Sequence, residues 1–130
     1  METIQKFLAK RKFKKTTGLC PSDRQLCFIM GEHVDWPDRR SGKTSTIAFY
    51  AYSLMEKGKE VCITVDNHSQ VVHYMNLFKG FNPRVQIRKN NTASLPVKGS
   101  GRVKFFVQGF KPKNCHADVF LSDTTEDKTA

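Results

Sequence analysis

This sequence predicts an α/β fold, a mostly parallel sheet flanked by helices with a β-hairpin insertion, and three observations predict it. Ile47, Ala48, Ala51, Leu54 and Met55 recur at the spacing of one apolar helical face, and the short apolar run Val61-Cys62-Ile63-Thr64-Val65 follows at once. A second helical pattern, Val71, Val72, Met75 and Phe78, comes next and closes at Gly80. Further on, the glycine-rich turn Lys98-Gly99-Ser100-Gly101 separates Leu95-Pro96-Val97 from the alternating Val103, Phe105 and Val107, and Val119-Phe120-Leu121-Ser122 reads as a last buried strand. Helix, strand, helix, hairpin and strand in this order belong to an α/β domain rather than to an all-α or all-β one.

From the N-terminus, Thr3 to Lys15 forms either a short basic helix, with Ile4, Phe7, Leu8 and Arg11 on one side, or an arm that orders on a partner. Thr16-Thr17-Gly18 breaks it, so residues 1–18 are set apart from a single domain over 19–130. Pro21-Ser22-Asp23 starts a helix into Arg24 to Met30, although the same apolar run also suits a strand. Gly31 ends that segment, and His33 to Trp36 reads as a short strand. After the apolar helix, Lys57 and Gly58 are stop signals, Asp66-Asn67-His68-Ser69 supplies cap residues for the next helix, Pro83 restarts the chain and Val85 to Ile87 is a short strand.

A chain of 130 residues can bury roughly two-thirds of its unfolded surface, enough for one core. Its 22 Lys and Arg against 12 Asp and Glu give a formal charge of +10, which favours polyanions by steering and counterion release. Double-stranded DNA or another nucleic acid is the partner this predicts. The charge is uneven. Lys6, Lys10, Arg11, Lys12, Lys14 and Lys15 crowd the start, whereas Asp118, Asp123, Glu126 and Asp127 collect near the end. No apolar stretch reaches the ~20 residues that cross a bilayer, so a soluble, intracellular protein with no membrane partner is expected. Cys20, Cys27, Cys62 and Cys115 lack Cys-x-x-Cys spacing and are read as reduced thiols.

The chemistry concentrates in Arg39-Arg40-Ser41-Gly42-Lys43-Thr44-Ser45. Gly-Lys-Thr opening a helix matches the end of a phosphate-binding loop, where backbone N–H groups face the phosphates, the lysine reaches the β and γ oxygens, and the hydroxyl ligates Mg²⁺. Ser41 to Ser45 are the candidate ATP contacts, with Lys43 for the phosphates and Thr44 for the metal. The full pattern also has a glycine five positions before Gly42, and this chain has Pro37 there. Taken bare, Gly-Lys-Thr also serves as an ordinary polar loop entering a helix. The apolar strand closing on Asp123 supplies the complementary half, because a carboxylate at a strand's carboxyl end can hold Mg²⁺ beside the phosphates. A strand-terminal aspartate also caps turns, which is the plainer role open to Asp123.

The combination of Arg39 to Thr44, the following helix, Val61 to Val65, the Gly99-Ser100 hairpin and Ala117-Asp118-Val119-Phe120-Leu121-Ser122-Asp123 resembles the ATPase domain of the terminase large subunit, the viral DNA-packaging motor. The resemblance covers about Gln25 to Asp123, and RecA-like helicases and thymidine kinases share its early elements. It implies a RecA-like P-loop domain, incomplete at its C-terminus, that binds ATP and Mg²⁺ and works on DNA in a homo-oligomer or with other motor subunits. A viral motor would act in the host nucleus or cytoplasm. The resemblance assigns the metal to Thr44 and Asp123, and charge neutralisation at the γ-phosphate to Arg39 or Arg40. A solvated basic loop is the alternative for the two arginines.

One departure bears on catalysis. Where these motors follow the metal aspartate with a water-activating glutamate, this chain has Thr124, leaving Glu126 or Asp127 as the substitute if the loop bends back, with Arg40 the other catalytic candidate through the γ-phosphate charge. Two other functions fit the same residues. One is a helicase fragment, and the other is a basic nucleic-acid binder with a degenerate loop, in which Phe105, Phe106 and Phe110 would offer stacking surfaces. Strand alternation puts Phe105 and Phe106 on opposite faces, so at least one of them belongs to the core.

Overall fold

A computed structural model of the chain describes residues 2–32, 43–88, 91–107 and 117–123, and it is an α/β structure of four helices and five strands among those residues. The chain divides into two compact units, residues 1–50 and 51–130. The expected strand at His33 to Trp36 lies outside the described residues.

In the first unit, α1 (Glu2–Thr17) is a helix rather than an extended arm. Among its described side chains the buried one is Phe13, whose ring meets that of Phe49 edge-on at 4.9 Å, whereas Ile4, Phe7 and Leu8 are all exposed. The basic side chains Lys6, Lys10, Arg11, Lys12, Lys14 and Lys15 are exposed as well. Helix α2 (Asp23–Ile29) settles the ambiguity of that apolar run. Ser22 accepts a hydrogen bond from the Gln25 amide while the Gln25 side chain accepts one from the Ser22 amide, a reciprocal cap that a strand could not use. Helix α3 (Lys43–Glu56) starts in this unit, with Thr46, Ile47, Ala48 and Phe49 buried.

The second unit holds the end of α3, the sheet and α4 (His68–Phe81). The strands β1 (Glu60–Val65), β2 (Gln86–Arg88), β3 (Thr92–Ser94), β4 (Arg102–Val107) and β5 (Val119–Asp123) lie in the order β2-β3-β4-β1-β5. β1 pairs in parallel with β4 and β5, while β3 pairs antiparallel with both β2 and β4. The sheet is therefore mixed rather than mostly parallel, because the hairpin is not an insertion beside the sheet but forms one half of it. Its first strand is also displaced. Pro96 has no amide proton to donate, and the pairing segment is Thr92–Ser94, with Leu95 to Gly101 as the connection.

Val61, Cys62 and Ile63 are buried in succession, which requires cover on both faces of β1. Register places Ile63, Phe105 and Leu121 side by side on one face, with Val65, Val107 and Asp123 two residues further along the same face. Helix α4 covers that face. Its Tyr74 and Phe78 rings lie 5.3 and 5.9 Å from Phe105, and Phe78 also meets Tyr52 and Phe81 at 6.5 and 6.4 Å. Burial pushes the Tyr52 hydroxyl pKa up, against the opposing effect of the hydrogen bond from Asn82 Nδ2 at 3.1 Å.

The chain passes closely at the amino end of this unit. The Gly101 amide donates to the Met55 carbonyl at 2.7 Å, and a Cβ on Gly101 would stand 1.8 Å from the Lys59 carbonyl oxygen. Only glycine fits there. Beside it, Arg102 Nη2 contacts Glu60 Oε1 at 2.6 Å and the Glu60 amide donates to Asp118 Oδ2 at 2.9 Å, tying β4, β1 and the approach to β5 together.

Candidate functional site

Lys43 and Thr44 occupy the first turn of α3, where the amide groups of a helix have no partner within the helix itself, and with Ser45 they are half-buried. The phosphate-loop reading of the sequence sets Lys43 and Thr44 at the start of this helix. Arg39, Arg40, Ser41 and Gly42, the remainder of that loop, lie outside the described residues, as do Thr124 and Glu126.

Asp123 ends β5, as the sequence predicts, and is 9% exposed. Its position follows from the register. Val65, Val107 and Asp123 form one row across the carboxyl ends of three parallel strands, on the face that α4 covers. Tyr74 Oη donates to Asp123 Oδ2 at 2.7 Å, and Gln70 Nε2 donates to the Asp123 carbonyl at 3.2 Å. The sequence pattern gives no sign of either contact, because it assigns Val72 to the covered face of α4 and passes over Tyr74. In the structure Val72 is 48% exposed and Tyr74 is fully buried.

Gln70 has a second task. Its Oε1 accepts from the amides of Asp66 and Asn67 at 2.7 and 3.2 Å, while Asn67 Oδ1 accepts from the Gln70 amide at 3.1 Å. The same side chain thus caps α4 and grips the end of β5. In open α/β sheets, ligands bind beyond the carboxyl ends of the strands, and this edge also carries an open cavity of about 430 Å³. Asp66, Asn67, His68, Asn91, Phe106 and Val107 are among its walls.

Mg²⁺ is bound by one or two protein oxygens together with water and substrate phosphates, and the Asp123 carboxylate offers oxygen of that kind at the end of β5. Among the described residues no three His, Cys, Asp or Glu side chains gather. Cys20, Cys27 and Cys62 form no disulfide among the described residues. No helix among the described residues is long and apolar enough to cross a membrane.

Phe105 is buried, 2% exposed within the aromatic cluster under α4, and Phe106 takes the opposite face of β4, half-buried. The core thus claims one of the proposed stacking rings. Phe110 lies outside the described residues. No family model matches the chain, and no similarity was found to a curated protein or to a solved structure.

Proposed function

We propose that this chain binds ATP with Mg²⁺ through a P-loop of RecA-like type and that it forms the nucleotide-binding part of a DNA-packaging motor resembling the terminase large subunit. One observation supports the reading above the others: an apolar strand, parallel to its neighbour, ends on a nearly buried aspartate that a tyrosine and a glutamine hold in place. A solvated turn cap does not call for such a setting. On this reading Gly42, Lys43 and Thr44 take the phosphates, Thr44 and Asp123 take the metal, and Arg39 or Arg40 offsets the γ-phosphate charge.

The residues of the chain act here by binding and orientation. Lys43 supplies a point charge to the β and γ oxygens, and the first-turn amides of α3 supply hydrogen bonds. Bound Mg²⁺ would screen the phosphate charge and draw electron density from the γ-phosphorus. Substituting Lys43→Ala is expected to weaken triphosphate binding at least tenfold, which corresponds to about 1.4 kcal/mol. Isothermal titration with a slowly hydrolysed ATP analogue measures this, and equal affinity in the two proteins would end the phosphate-loop assignment.

The charge of the chain supports a nucleic-acid partner. Truncating α1 is an unsuitable test because it removes the buried Phe13 along with the lysines. Changing Lys6, Lys10, Arg11, Lys12, Lys14 and Lys15 to glutamine leaves Phe13 packed. If those side chains meet DNA phosphates, the slope of log affinity against log salt flattens by about 0.9 for each phosphate no longer neutralised. An unchanged slope in anisotropy titrations would remove α1 from the DNA interface.

A further inference from the structure

We infer that Tyr74 is a positioning residue for Asp123, and that α4 fixes the carboxylate in the orientation from which it takes the divalent cation of a bound nucleotide. The inference rests on the proposed Mg²⁺–ATP site and adds to it a residue from outside both of its motifs. A carboxylate on the last residue of a strand has free rotation about two side-chain bonds unless something holds it. Here a fully buried phenol donates to Oδ2 at 2.7 Å, and Gln70 fixes the backbone of the same residue through its carbonyl.

The phenol is itself held in place. The Tyr74 ring lies 5.3 Å from Phe105 and 6.4 Å from Phe78, so the hydroxyl is aimed by packing on β4 and along α4. A neutral donor restricts the carboxylate's direction without bringing a positive charge of its own. Outer groups of this kind orient a metal ligand, and their loss typically costs 10–100-fold in metal affinity.

The test uses the full chain, a slowly hydrolysed ATP analogue and Mg²⁺ titrated against it, with Tyr74→Phe and Asp123→Asn as variants. Tyr74→Phe keeps the ring and deletes only the donor. The Mg²⁺ concentration for half-saturation is expected to rise about tenfold in Tyr74→Phe, with metal-free nucleotide affinity unchanged. In Asp123→Asn the metal dependence is expected to disappear. A wild-type-like Mg²⁺ midpoint in Tyr74→Phe, alongside lost dependence in Asp123→Asn, would overturn the positioning role and leave the site standing. Nucleotide binding that ignores Mg²⁺ in the wild type would overturn the site and the role together. Loss of metal-free affinity in Tyr74→Phe, with a lowered melting temperature, would assign the hydroxyl to the fold alone and equally overturn the inference.

Discussion

Thr124→Glu is expected to accelerate ATP hydrolysis by about 10²–10⁴, the range that a positioned general base contributes. Thr124 directly follows Asp123, the last residue of β5, and is where the motor pattern has a water-activating carboxylate. A threonine hydroxyl can hydrogen-bond water but cannot remove its proton at neutral pH. The wild-type chain should therefore bind ATP and turn it over slowly. Glu126→Gln separates the two arrangements in single-turnover assays. If the base is absent, that change alters the rate little. Fast wild-type hydrolysis abolished by Glu126→Gln would show that Glu126 provides the base.

Phe78→Ala should destabilise the sheet-bearing unit by about 3–5 kcal/mol, the usual cost of emptying a buried phenylalanine site. Phe78 is fully buried, and its ring meets Tyr52, Tyr74, Phe81 and Phe105. Four aromatic neighbours cannot collapse into the space together without leaving their rotamers. Against a typical total of roughly 5–15 kcal/mol, that loss is a large share of the stability. Urea unfolding followed by fluorescence measures it, and a loss below about 1 kcal/mol would mean the cluster repacks freely. Because Tyr74 belongs to the same cluster, this substitution should also loosen its hydroxyl from Asp123.

Local rules make several of these elements legible in the sequence. The Ser22–Gln25 cap is visible as Pro-Ser-Asp before an apolar run, and β1 is visible because a buried parallel strand is continuously apolar. β5 is legible as a strand for the same reason but not as a buried one, since it lies at the sheet edge with Phe120 53% exposed and Asp123 its one buried residue. Asp123 stands out as a strand-end carboxylate for the same reason. Thr92-Ala93-Ser94 is not legible. These three small residues carry no hydrophobic signal, yet β3 is buried between β2 and β4 because tertiary pairing outweighs local preference. The covered face of α4 is misread by hydropathy alone. Hydropathy favours Val72, but Val71, Tyr74, Met75 and Phe78 are the positions that face inward at helical spacing. The same error hides the Tyr74–Asp123 bond, since a contact 49 residues apart in sequence depends on register and helix rotation together. In α1, the pattern singles out Ile4, Phe7 and Leu8, and Phe13 is the residue that packs.

If Thr44 and Asp123 serve one cation on a bound triphosphate, that cation can be counted directly. Mn²⁺ substituted for Mg²⁺ reports itself by its electron paramagnetic resonance signal in the presence of a slowly hydrolysed ATP analogue. One protein-bound, nucleotide-dependent Mn²⁺ per chain is expected, weakened at least tenfold by Thr44→Val and by Asp123→Asn separately. Undiminished Mn²⁺ binding in either variant would contradict a shared site.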